Sequence, residues 1–229
     1  MAPRWSGMDC GQFLSQVFVA HSAPTRRSAR MLHMFVPVDG HWVACKERIM
    51  DFRSYYHAAK RTMNSTLSRE MQLCTAALGI CGEVGEALTA LETSIDTPDQ
   101  AVINELGDVC WYITWSMELF DINMLHSFVS APENDRDVYL LAAQFADIVK
   151  KIACHQHPMT DNHKATIIDI LSRLHAWVCD AATWENASIY DVYEANIAKL
   201  QQRFATEQGF TSEESISRAD TVAIERSIP

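Results

Sequence analysis

Ala77-Leu78-Gly79-Ile80-Cys81-Gly82-Glu83-Val84-Gly85-Glu86, followed after a short connection by Asn104-Glu105-Leu106-Gly107-Asp108-Val109-Cys110-Trp111-Tyr112, is the stretch whose reading decides the fold. Each half carries two carboxylates three residues apart, Glu83 with Glu86 and Glu105 with Asp108. Three-residue spacing puts both members of a pair on one face of a helix. Two such helices joined by a short loop are antiparallel neighbours, and their packing brings four carboxylates to one spot. Like charges at that range repel, and a covered carboxylate is costly to keep ionised, so the arrangement calls for a divalent cation. The donors are all hard oxygens, which suits Mg²⁺, with Mn²⁺ as a substitute, rather than zinc.

Four of the eight glycines, Gly79, Gly82, Gly85 and Gly107, fall inside these helical segments. Each weakens a helix by about 1 kcal/mol relative to alanine, so close approach of a neighbouring backbone or a ligand is expected there. A single acidic pair reads most simply as a solvated helix face. Two glycine-flanked pairs in succession favour a shared site.

The rest of the chain is consistent with a helical domain. Apolar residues make up 48% of 229, ample for one core. The net charge of −10 argues against nucleic acid as a partner. The charge is uneven: residues 1–50 hold six Lys/Arg against three Asp/Glu, and residues 51–229 hold thirteen against twenty-six. A free triphosphate would be repelled by so acidic a body, so metal must bind first or together with such a substrate. The seven cysteines form no Cys-x-x-Cys pair, the pattern of reduced thiols in a cytoplasmic protein. No apolar run reads as long enough to span a membrane, and Ser15 and Gln16 interrupt the stretch Phe13 to Ala20 that would otherwise suggest a signal peptide.

Residues 1–49 read as an N-terminal extension. Asp39-Gly40 between two apolar runs signals a β-hairpin within Met31 to Cys45, weakened by Pro37. From Met50 the pattern is all-α. Phe52 to Met63 carries an aromatic stripe; Glu70 to Leu91 carries the first acidic pair. A helix opening at Thr97-Pro98 and running to about Phe120 carries the second. Within Asp137 to Trp184, Gln144-x-x-Asp147 and Asp169-x-x-Ser172 can be laid over the two acidic pairs. That alignment is either a degenerate internal repeat or ordinary similarity between amphipathic helices. Ser188 to Ala205 is the last helix, with Asn196, Lys199 and Arg203 on one side. His155, His157 and His163 lie near helix ends and have no acidic or cysteine ligand at a diagnostic spacing.

The pattern Glu83-x-x-Glu86 with Glu105-x-x-Asp108, continued by Asn196-Ile197-Ala198-Lys199 and Arg203, resembles the MazG-like all-α nucleoside triphosphate pyrophosphohydrolases. That group also takes in the dimeric dUTPases and the dCTP pyrophosphatases. Gly209 to Glu214 is similar to a run in its phage-type members. The resemblance covers roughly residues 50–218, leaving 219–229 as a C-terminal tail, and implies a helical bundle catalytic domain and a homo-oligomer, dimer or tetramer. It further implies Mg²⁺-dependent hydrolysis of a (deoxy)nucleoside triphosphate to monophosphate and pyrophosphate, acting on the dNTP pool. dGTP is one candidate substrate, with dUTP or dCTP as alternatives, and a non-catalytic nucleotide- or protein-binding module is the remaining alternative. Under this reading Glu83, Glu86, Glu105 and Asp108 hold metal, and Glu83 or Glu86 assists the attacking water. Tyr112, Asn196, Lys199 and Arg203 contact substrate, and Tyr55, Tyr56 or His57 face the base.

Overall fold

The computed structural model describes residues 35–38, 41–44, 50–94, 99–127 and 129–204. The chain divides into two units, residues 1–49 and 50–229. In the first, strands β1 (Phe35–Val38) and β2 (His41–Ala44) pair antiparallel, with Phe35 opposite Ala44 and Val38 opposite His41. This is where the Asp39-Gly40 signal puts a hairpin; those two turn residues lie outside the described set, as do Thr97-Pro98 and residues 205–229.

The second unit is built, among the described residues, of six helices: α1 (Phe52–Lys60), α2 (Arg69–Thr93), α3 (Gln100–Leu119), α4 (Asp135–Ala153), α5 (Asp161–Trp184) and α6 (Ile189–Arg203). Every one begins at a side chain that accepts a bond from an otherwise unsatisfied amide: Asp51, Ser68, Asp99, Asn134, Thr160 and Ser188. Ser188 and Asp191 form a reciprocal capping box. The cap of α3 is Asp99, whose carboxylate accepts from the amide of Ala101, so this helix starts two residues later than the Thr-Pro signal indicates. A polar side chain two residues on offers the same acceptor, and the cap that forms is the one tertiary packing can hold. That help comes from Glu185, just beyond α5 and 4% exposed: its carboxylate accepts from the Asp99 amide at 3.0 Å.

Helices α2 and α3 are antiparallel, as their loop length predicts. Arg69, at the start of α2, donates to the carbonyl of Leu119, at the end of α3, at 2.6 Å. Between them Ile80, Val84, Leu106, Val109 and Ile113 are fully buried, each contributing about 1.5–3 kcal/mol through removal from water. The α4–α5 pair packs beside them, α4 on α2 and α5 on α3, while α6 crosses α3 and holds α1 against it. Helix α2 alone among the described helices is long and apolar enough to cross a membrane, with a mean hydropathy of 1.3 over its best window. Sequence inspection for an unbroken apolar run misses this because glycine, alanine and threonine dilute the charges of Glu83 and Glu86. Its packing against α3 and α4 buries 39% of that window.

The four helical glycines separate into two kinds. A methyl group on Gly79 would lie 2.1 Å from the Tyr112 ring, and one on Gly107 would lie 2.8 Å from Cβ of Asn196. Those two positions permit close approach of helices. Gly82 meets nothing within 4 Å, and Gly85 only Tyr139 at 4.0 Å, so both face an open groove. Gly82→Ala should therefore raise stability by about 1 kcal/mol through helix propensity. Gly107→Ala should lower it by about 1–3 kcal/mol, since Cβ of Asn196 is anchored to backbone and cannot swing away. Denaturant unfolding of the two variants beside the parent chain reads both signs.

Candidate functional site

The α2–α3 packing brings Glu83, Glu86 and Glu105 together: one carboxylate oxygen from each lies within 4.8 Å of the others. Glu83 and Glu105 are half-buried and Glu86 is exposed. Asp108, one turn beyond Glu105, is near enough to act on Glu83 electrostatically but is held from the other side. Lys199 of α6 forms an ion pair with one of its oxygens, and the Asn196 amide donates to the other at 2.9 Å. Lys199 thus pairs with Asp108, and Arg203 lines the pocket onto which Glu83 and Asp108 open.

The consequence falls on Glu83. Burial first, then the charges of Asp108, Glu86 and Glu105, push its carboxyl from the ordinary 4.5 up to about 8, with Lys199 pulling the other way. The donor set is all carboxylate oxygen. That fits a hard divalent cation such as Mg²⁺, which would take the role that protons otherwise play at Glu83.

Two openings adjoin the cluster. On one side Glu83 and Asp108 open into a pocket of about 220 Å³, lined also by Thr62, Trp111, Tyr112, Trp115, Arg203 and Phe204. Its aromatic wall is ordered: Tyr112 stacks on Trp115 at 6.2 Å, Trp111 meets Tyr112 edge-on at 4.8 Å, and the Trp111 indole donates to Thr62 at 2.8 Å. On the other side Glu86 and Glu105 border the open groove floored by Gly82 and Gly85. Tyr112 is where the acidic motif places it, one turn past Asp108 and on the pocket wall. Trp111, Trp115 and Thr62 were not singled out from sequence. For the two tryptophans the signal was present in the aromatic residues three, four and seven positions after Asp108, a run that reads equally well as core.

Other sequence-predicted residues have different places. Tyr55 is fully buried, stacked 4.5 Å from Tyr193, and its hydroxyl donates to the Asn196 carbonyl oxygen at 2.9 Å. It faces no base pocket; the aromatic stripe of α1 is core at this position. Asn196 is likewise fully buried. Its two ends are both engaged, oxygen to Tyr55 and nitrogen to Asp108, and because a carboxylate only accepts, this orientation of the amide is the required one. Asn196 therefore positions Asp108 instead of presenting a free donor to a ligand. Tyr56 donates to Glu118, and burial first and that bond second push its hydroxyl up to about 12. Exposed His57 sits edge-on to Tyr56, and both line a separate cleft with Phe52, Met117 and His175. Neither adjoins the acidic cluster. Lys199 and Arg203 do, the first through Asp108 and the second as pocket lining. At the positions laid over the acidic pairs, Asp147 is bound by Lys150 and Lys151, and Ser172 is buried and accepts from the amide of His126. No carboxylates converge there among the described residues.

Compared with protein-family models, with curated proteins and with solved structures, the chain yields no match. What can be said of the site follows from its own geometry.

Because the folded protein holds a proton on Glu83 that the unfolded chain gives up at the ordinary 4.5, stability should fall as pH rises from about 4.5 to about 8 in the presence of a chelator. Glu83→Gln, neutral throughout, should flatten that part of the profile. Melting temperatures across the window, for both proteins, check the sign.

Proposed function

We propose that this protein hydrolyses a nucleoside triphosphate to the monophosphate and pyrophosphate with the help of Mg²⁺, as a MazG-like enzyme would. The observation that carries the reading is three glutamates within 4.8 Å of one another beside an aromatic-walled pocket of about 220 Å³. Glu83, Glu86 and Glu105 would hold the metal, with Asp108 at its edge. Bound Mg²⁺ supplies charge neutralisation for phosphate oxygens and a lowered pKa for water.

The chain's own residues supply the rest. Tyr112 and Trp115 offer ring faces against which a base or sugar packs. Arg203 and Lys199 neutralise phosphate oxygens, Lys199 exchanging Asp108 for the substrate. Glu83 takes the proton as the water oxygen bonds to phosphorus and the α–β bridging bond breaks, releasing pyrophosphate. Its half-buried place on the pocket, where Glu86 is exposed on the groove side, supports that role over Glu86. Asn196, fixed by Tyr55, keeps the Asp108 carboxylate aimed at the site.

Helices α4 and α5 act in this reading as a scaffold, a second helical pair that does not repeat the acidic cluster. A cytoplasmic homo-oligomer belongs to the same reading.

Incubation of the purified chain with a panel of ribo- and deoxynucleoside triphosphates and Mg²⁺ should release pyrophosphate from at least one. Glu86→Gln should lower that rate by about 100-fold or more, the effect expected when several kcal/mol of charge stabilisation is lost. Its helical circular dichroism should not change, because the side chain is exposed. Silence with every nucleotide, or undiminished turnover in the variant, overturns the assignment in favour of a binding module.

A further inference from the structure

Five cysteines lie among the described residues. Cys110 is buried in the core, Cys81 contacts the carbonyl of Ala142 at 3.6 Å, and Cys179 sits 3.9 Å from the His175 ring. Cys74 and Cys154 differ from these three. They stand on α2 and at the C-terminal cap of α4, 80 positions apart in sequence, with their sulfurs 3.8 Å from each other. Cys154 is exposed and Cys74 half-covered, so a small reagent reaches the pair. A disulfide needs the sulfurs about 2 Å apart, so closure brings them roughly 2 Å nearer. The pair does not extend to a metal site: among the described residues no histidine or carboxylate completes a three-ligand set with the two sulfurs.

We propose that Cys74 and Cys154 are a modification site, oxidised by peroxide to a disulfide that ties α2 to the end of α4. Cys154, the more exposed, reacts first. Its thiolate attacks a peroxide oxygen, the O–O bond breaks, one water leaves and the sulfur becomes a sulfenic acid. The Cys74 sulfur then attacks that sulfur, the S–S bond forms, the S–O bond breaks and a second water departs. Two thiols are oxidised by two electrons, and one hydrogen peroxide is reduced to two waters. Burial, and then the contact with Cys154, push the Cys74 thiol up, which disfavours it as the site of first attack. The link closes a long loop that contains α3 and the acidic face of α2. Restricting the unfolded chain to that extent should raise the melting temperature by on the order of 10 °C.

The test uses the full chain treated with a small excess of hydrogen peroxide, then alkylated and digested. The expected result is loss of two free thiols and a peptide pair joining Cys74 to Cys154. A higher melting temperature should accompany it and be reversed by dithiothreitol. Cys154→Ser, a change at an exposed helix end, should keep the resting melting temperature and abolish both the linked peptide and the rise. Cys179→Ser should retain them. Over-oxidation of Cys154 without a linked peptide, pairing of Cys74 with another cysteine, or a rise that persists in Cys154→Ser each overturns the proposal.

Discussion

Close packing of α2 on α3, which brings three carboxylates within 4.8 Å of one another, is the constraint on which the rest of the helical unit depends. Close packing of α2 on α3 is driven by their buried aliphatic side chains, and that packing drives Glu83, Glu86 and Glu105 together whatever their charge. The cost is relieved in two ways visible in the chain itself. Glu83 binds its proton more tightly than a free carboxyl does, and α6 brings Lys199 and Asn196 to the fourth acid, Asp108. Helix α6 therefore belongs to the site as much as to the core. Tyr55 of α1 completes the arrangement by fixing the Asn196 amide from behind.

The same contacts explain where glycine is required. Gly107 admits Asn196, and Gly79 admits the Tyr112 ring; without those two approaches α6 would stand off from α3 and the aromatic wall would lose its seat on α2. Gly82 and Gly85 answer no contact of this strength. They leave bare backbone beside Glu86 and Glu105 on the groove side, opposite the aromatic pocket. The acidic cluster thus lies between a walled cavity and an open trough.

Much of this was legible in the residues. The three-residue spacing of the acids and the short α2–α3 connection determine helices and their antiparallel pairing through local geometry alone. The helix start at Asp99 was misjudged because Thr97-Pro98 is a good local signal, whereas Asp99 is selected by Glu185, far away in sequence. For a related reason the sequence does not reveal that Tyr55 and Asn196 are fully buried. An aromatic on an amphipathic helix and an amide one turn before a lysine look the same from sequence whether they face a ligand or a neighbouring helix. Trp111 and Trp115 show the reverse: residues that read as core line a cavity.

The sequence by itself determined that this chain makes long helices and that its acids fall in pairs on single helix faces, because those properties depend on side chains three or four positions apart. Only the tertiary structure decided that Glu83, Glu86 and Glu105 meet while Asp108 is claimed by Asn196 and Lys199. Helical periodicity specifies the direction a side chain takes from its own axis. Which groups it then meets depends on how neighbouring helices are rotated and spaced, and that is settled by the summed packing of the whole core.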